Sequence, residues 1–556
     1  MHGRVKVRTT EEQKEIARQE KQKKAIEFKK IMNQILEKRS LQIHDEEGLN
    51  LTGNLLTGNP DIITLWNYRR EIFLSFKNDE DLESYQKLLE KDLQLTEQCL
   101  RVNPKSYGSW HHRIWILDNL PKPDWNKELN LCTKYLQLDE RNFHCWDYRR
   151  IVAERSNVSH LSEYEFTMKK IETNFSNYSA WHLRSKLLPK IFPDEKKKFP
   201  INEEKHNEEL ELVENAAFTD PNDQSAWFYL RWLLGLKEPK TSIIYAKCSD
   251  EIYIITSKSL TMDSNENKNY EIKINIKIND VKLDGVWING NLQPQSCLWI
   301  FKPHQQIQPA DCISISLSDN NSVYETINVQ PQGFYLSKLN FHSVLSENLL
   351  ETITKQLDSC NQLIELEPDS KWTLLTSIFL MLTIDRLKYE NEIKNTIDKL
   401  TLIDSLRKNY YLDLRSKIII ELELLKNNER EKLNLSRQNL TCLYHSQYLH
   451  GFVEIDLSYN SLKSDSLKYL YNLLNCKILN LKKNSIDNLN SLSVLPKLEI
   501  LIVDDNLIEN INIETLKKYD KLIKLSLINN PIADKTDLII DLSNFFTNIQ
   551  FNCSNS

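Results

Sequence analysis

The hydrophobic positions of the chain follow three rhythms, and the changes between them mark where elements and domains should lie. Between roughly 45 and 238 they recur at a helical spacing broken by Asn-Pro and Asp-Pro, which predicts short helices joined by tight turns. From about 241 to 335 alternation takes over. In EIKINIKIND, Ile272, Ile274, Ile276 and Ile278 face one way and Lys273, Asn275 and Lys277 the other, and Ile313, Ile315 and Leu317 alternate with serines. Several short period-two segments predict half-buried antiparallel strands in a small Ig-like β-sandwich. Helical spacing returns near 342 and holds to about 428. The apolar run Trp372–Ile384 is broken by Thr and Ser and flanked by Lys371 and Asp385, which suits a buried helix rather than a membrane span. Residues 10–39 are dense in Lys, Glu, Arg and Gln, and predict a solvated helix rather than a signal peptide.

After residue 428 the third rhythm is L-x-L-x-x-N. It appears as Ile455, Leu457 and Asn460, then Leu479, Leu481 and Asn484, then Leu501, Val503 and Asn506, then Leu525, Leu527 and Asn530. A weaker first copy has Leu433 and Leu435, with Gln438 in the polar place. The spacing predicts a C-terminal leucine-rich repeat domain, its leucines filling a continuous core and each Asn satisfying backbone groups at a turn.

The helical region carries its own repeat. Five segments, NPDIITLWNYRR, NPKSYGSWHHR, DERNFHCWDYRR, NFSNYSAWHLR and DPNDQSAWFYLRW, share Trp followed three residues later by Arg. The pairs are Trp66 with Arg69, Trp110 with Arg113, Trp146 with Arg149, and Trp181 with Arg184. In the fifth, Trp227 is followed by Arg231, one residue late. Each segment opens with Asn or Asp seven residues before the Trp, a position suited to a helix N-cap, with Pro60, Pro104 and Pro221 in the first turn. In the second copy Tyr107, Trp110, Ile114 and Leu117 then share one face. Each Arg is placed to bond across to the neighbouring helix pair. The sixth copy, around Trp372, lacks the Arg, and a seventh keeps Arg415 without a Trp. The β-rich stretch therefore interrupts an otherwise continuous α/α helical-hairpin solenoid.

Composition narrows the chemistry. With 40% hydrophobic and 27% charged residues and a net charge of −6, the chain reads as a soluble, cytoplasmic, multidomain protein and a poor partner for nucleic acid. Its ten cysteines include no C-x-x-C pair, so neither a disulfide scaffold nor a structural zinc site is expected. His111 and His112 look like a metal pair, but adjacent residues on a helix diverge by about 100°, which excludes a shared ion.

The repeated N-P-K-x-Y-x-x-W-H-H-R pattern resembles the repeat of protein prenyltransferase α subunits, well over 45–235 and loosely over 342–428. The inserted β-sandwich and the leucine-rich domain are similar to the Rab-type (type II) branch. The resemblance implies an enzyme active only as a heterodimer, with this chain wrapped around a prenyltransferase β subunit. That β subunit holds the lipid pocket and a zinc ion. The implied reaction joins geranylgeranyl, from geranylgeranyl diphosphate, to C-terminal cysteines of Rab GTPases presented by a Rab escort protein. It also implies that Lys105 contacts the diphosphate leaving group, that Tyr107 lies at the subunit interface near the active site, and that His144 reaches the lipid diphosphate and peptide region. Phe143 stands where the farnesyltransferase pattern has Tyr, so a hydroxyl contact is lost. His2, at the N-terminus, is a candidate placeholder ligand for the β subunit's zinc.

The expected domains are a charged arm over 1–44, helical repeats over 45–238, the sandwich over 239–338, further degenerate repeats over 339–428 and leucine-rich repeats over 429–556. Three alternatives stay open. One is a non-catalytic helical-repeat and leucine-rich scaffold, one a farnesyltransferase or type I α subunit, and one a member of the lineage that has lost activity.

Overall fold

The computed structural model describes residues 11–79, 81–195, 200–235, 240–261, 272–291, 294–319, 322–339, 341, 347–427, 431–534 and 549–550. Two compact units divide the chain, the first holding the residues up to Ala216 together with Gln224–Leu230. It begins with α1 (Glu11–Ser40), exposed over most of its length but anchored near its end by buried Ile35 and by Arg39, which grips Glu71. Helical hairpins follow: α2 (Glu46–Gly58) with α3 (Ile63–Asp79), α4 (Leu82–Val102) with α5 (Tyr107–Asn119), α6 (Trp125–Leu138) with α7 (Phe143–Arg155) and α8 (His160–Thr173) with α9 (Tyr178–Ile191). Next come α10 (Glu203–Thr219) and α11 (Gln224–Leu233).

The helices that carry the tryptophans start later than the sequence predicts. Asn59, Asn103, Asp139 and Asn174 each end the preceding helix, and their side-chain oxygens accept from the N–H two residues on. Pro60 and Pro104 therefore lie in the turns, outside the helices. The true N-caps are Ser106, Asn142 and Asn177, which accept from Ser109, His144 and Ala180. Each turn is closed from two sides. The indoles of Trp66, Trp110 and Trp146 donate to the carbonyls of Pro60, Pro104 and Glu140 at 2.8–2.9 Å. The cap of the following repeat, Ser106, Asn142 or Asn177, donates to the same carbonyl.

The arginines carry the buried charge of the stack. Arg113 makes a two-pronged bond to Glu128 at 2.7 Å on each side, and Arg149 and Arg184 do the same with Glu163 and Glu209. Arg69 grips Asp92. In every case the acid belongs to the next hairpin, while Nη1 reaches a threonine of the arginine's own hairpin (Thr52, Thr96, Thr133 or Thr167). Three of the acids accept a further bond from the next repeat: Asp92 from His112, Glu128 from Tyr148 and Glu209 from Tyr229, at 2.5–2.6 Å. Paired and fully hydrogen-bonded, these charges meet the conditions under which burial is tolerated.

In the second unit, the described residues from Ile243 to Leu336 form nine strands in two antiparallel sheets, of five and four strands, that share one core. Ile274, Ile276 and Ile278 point into it opposite Ile313, Ile315 and Leu317, as the alternation requires. Helices α12 (Glu347–Leu366), α13 (Lys371–Ile384), α14 (Glu390–Ile403) and α15 (Lys408–Lys426) follow. The apolar run forms α13 and is buried around most of its circumference. Among the described residues no helix is long and apolar enough to cross a membrane. Among the described residues, six short strands between Lys432 and Gln550 then stack in one parallel sheet, with Leu433, Ile455, Leu479, Leu501 and Leu525 in register. The amide of Asn484 donates to the carbonyls of Leu457 and Leu481 and accepts from the N–H of Leu462, so it ties two successive coils. Asn460, Asn506 and Asn530 act alike. One face of the five-stranded sheet joins this core, and the Cys297 N–H donates to the Tyr471 hydroxyl at 3.0 Å.

Candidate functional site

The late helix starts decide where the candidate residues point. Lys105 precedes the Ser106 cap, so it lies in the turn before α5 and outside the helix that the sequence gives it. Its ammonium is exposed and sits 3.8 Å from Asp139. Tyr107, the first residue of α5, is 68% exposed. It does not share an interior face with Trp110, and Ile114 is only half-buried. The buried side of α5 is instead Ser109, Trp110, His112, Arg113, Ile116 and Leu117.

His144, second in α7, is 7% exposed. The Tyr107 ring meets it edge-on with centroids 4.3 Å apart, and the Phe143 ring centroid lies 3.9 Å from it. Burial pushes the imidazole below its ordinary value, the Lys105 charge adds to that, and Asp147 opposes both. His144 is thus neutral at pH 7, and among the described residues its ring nitrogens meet no hydrogen-bond partner. The structure therefore gathers Lys105, Tyr107 and His144 at the N-terminal turns of two neighbouring helices. An exposed ammonium and a neutral imidazole that keeps one N–H to donate form a set able to receive an anion.

The same helix position is exposed and hydrophobic in four successive repeats: Ile63, Tyr107, Phe143 and Tyr178. Tyr107 lies 6.4 Å from Phe143, and Tyr178 stacks on His182. An apolar row of this kind on a soluble surface marks an interaction face.

Sequence reasoning missed Gly108, which lies beside this face. Gly108 sits where α5 crosses the Trp66 ring, and a Cβ there would lie 2.8 Å from the indole. A glycine inside a helical repeat, in a chain with only 10 of them, was the available signal. His112 is buried against Asp92 at 2.6 Å and accepts from Arg70 at Nδ1, while His111 meets Arg70 at 2.9 Å. Both imidazoles thus turn Nδ1 towards the Arg70 guanidinium, a cation, and His112 meets Asp92 with its other nitrogen. Among the described residues no three His, Cys, Asp or Glu side chains converge as an ion would need. His2 lies outside the described residues.

The profile of the protein prenyltransferase alpha subunit repeat matches residues 45–76, 89–120, 125–156, 160–191 and 206–236. The chain is 36% identical to the geranylgeranyl transferase type-2 subunit alpha of Homo sapiens, over 99% of both chains. It is 37% identical to that of Rattus norvegicus, over 96% of this chain and 97% of the other. The subunit of the same name from Dictyostelium discoideum is 35% identical and covers 42% of this chain and 75% of its own length. Likeness that runs the whole length of the mammalian proteins takes in the helical repeats, the antiparallel sheets and the parallel coils together, and on that ground the chain belongs to the family of geranylgeranyl transferase type-2 α subunits.

Proposed function

We propose that this chain is the α subunit of a heterodimeric protein geranylgeranyltransferase of the Rab type. With its β subunit it would transfer geranylgeranyl from geranylgeranyl diphosphate to C-terminal cysteines of Rab GTPases presented by an escort protein, in the cytoplasm. The observation that carries the reading is the meeting of Lys105, Tyr107 and His144 on an exposed apolar face, in a chain of this family.

Each residue has a role its surroundings favour. The Lys105 ammonium, on a long stem with only a distant carboxylate nearby, neutralises charge that grows on the departing diphosphate. His144 donates a hydrogen bond to the same group without adding a charge the buried position would resist. Tyr107 holds His144 in place with its ring edge and presents its hydroxyl to the partner. Zinc, when bound by the β subunit, supplies the activated thiolate of the acceptor cysteine. This chain contributes the cationic half of the site, so neither subunit works alone.

The finer architecture belongs to the same proposal. The antiparallel sheets form an Ig-like sandwich over 239–338 inserted into the helical repeats, and the parallel coils over 429–556 are a leucine-rich repeat domain.

Co-expression with a Rab-type β subunit tests the reading. Geranylgeranyl transfer to a Rab substrate with escort protein is expected from the complex. Lys105→Ala should slow it by about 10²-fold and leave the heterodimer intact. Failure to form any complex favours a scaffold, and an active complex indifferent to Lys105→Ala removes the site assignment.

A further inference from the structure

Arg69 and Arg70 are neighbours with opposite fates. Arg69 turns inward to Asp92, while Arg70 turns along the surface towards α5. Its Nε donates to His112 Nδ1 at 3.3 Å, its Nη2 to His111 Nδ1 at 2.9 Å, and its guanidinium lies 5.8 Å from the Trp115 ring. All of these partners are neutral, and among the described residues no carboxylate pairs with Arg70. The guanidinium keeps its protons at any working pH, so both imidazoles accept at Nδ1 and carry their proton on Nε2. For His112 that proton goes to Asp92. For His111 the Nε2–H meets no partner among the described residues.

Arg70 is half-buried, and burial pushes its pKa down with no acid to hold it up. Burial and the Arg70 charge together keep His111 below its ordinary value. A half-buried cation without a counter-charge is costly unless something arrives to pair with it. Its place says what arrives. Arg70 stands two helical turns after Ile63, and His111 one turn after Tyr107, so both lie on the exposed apolar row.

We propose that Arg70 and His111 form a receptor for one carboxylate of the β subunit, fixing the register in which that subunit covers the Ile63–Tyr107 face. The inference rests on the α-subunit reading above. One guanidinium edge and one imidazole N–H match the two oxygens of a carboxylate. A diphosphate, with more charge and more oxygens, finds its cation at Lys105, whose neighbour is Asp139.

The test is the dissociation constant of the heterodimer at low and at moderate salt, for the wild type, Arg70→Met and Arg70→Lys. Arg70→Met is expected to weaken assembly by about tenfold or more and to flatten its salt dependence, with Arg70→Lys between the two. Circular dichroism and urea unfolding of the free chain check that the fold is intact. Should Arg70→Met disturb it, His111→Ala, which leaves Arg70 in place, must show the same loss of affinity. Unchanged affinity at both salts overturns the proposal. So does unchanged affinity with a raised KM for geranylgeranyl diphosphate, which would make the anion a phosphate. No heterodimer with the wild-type chain would sink the α-subunit reading itself, and this inference with it.

Discussion

His112 donates its Nε2 proton to Asp92 across 2.6 Å in the interior of the first unit, and both side chains are fully buried. Burial pushes His112 below its ordinary value and Asp92 pulls only partly the other way. Burial alone would raise Asp92, but Arg69 and His112 reverse this and hold it at about 2. The sign follows for each. His112 takes its proton in the unfolded chain near pH 6.5 and only lower in the folded one. Its contribution is therefore complete above about 6.5 and declines as the pH falls below that. Asp92 contributes above its ordinary value and loses that contribution as the pH falls towards 2. Thermal unfolding of the heterodimer between pH 7.5 and 5.5 should show a falling Tm. His112→Gln keeps a donor to Asp92 without titrating, and should flatten the fall.

Glu128 accepts two bonds from Arg113 and one from Tyr148. Glu128→Leu leaves the Arg113 charge buried and unpaired, and should destabilise the chain by about 3–5 kcal/mol in urea unfolding. Adding Arg113→Met should recover most of that loss. A double variant no better than the single would show that the charge is not what costs stability.

Gly108→Ala drives a methyl group into the Trp66 ring, whose indole closes the turn at Pro60. Overpacking of this kind should cost about 1–3 kcal/mol. Because Gly108 is three residues from Lys105, kcat/KM for transfer should fall beyond the loss of folded protein, measured at equal concentrations of heterodimer.

Asn484 serves backbone groups of two coils from one amide. Asn484→Ala should cost about 1–3 kcal/mol for each buried group left unmet, and faster amide exchange should appear in the coils around Leu457 and Leu481. Prenyl transfer at 25 °C should be unchanged, because the proposed site lies in the helical unit.

The period-two isoleucines and the asparagines of the coils were readable because their geometry is local: a strand fixes which side chains share a face, and a short turn fixes which amide meets which carbonyl. The helix starts were not readable. Asn103 looks like a cap because its oxygen does accept a nearby N–H, yet that bond closes a turn rather than opening α5. The same slip hid the exposure of Tyr107, since a helical wheel gives relative directions and cannot say which one is outside. Lys105, Tyr107 and His144 were proposed by resemblance, and nothing in their spacing showed that Tyr107 and His144 would touch. Arg70 stood unread beside Arg69, because an Arg-Arg pair gives no sign that one side chain turns in and the other along the surface.

Each buried arginine finds its acid in the following hairpin, and this limits how the repeat array can be shortened or lengthened. A cut between α7 and α8 respects the hairpins but separates Arg149 from Glu163. A cut after α8 keeps that pair but leaves a helix without its antiparallel mate. Ending the series at either place therefore calls for a second change, at the new terminal arginine or on the helix left without its mate.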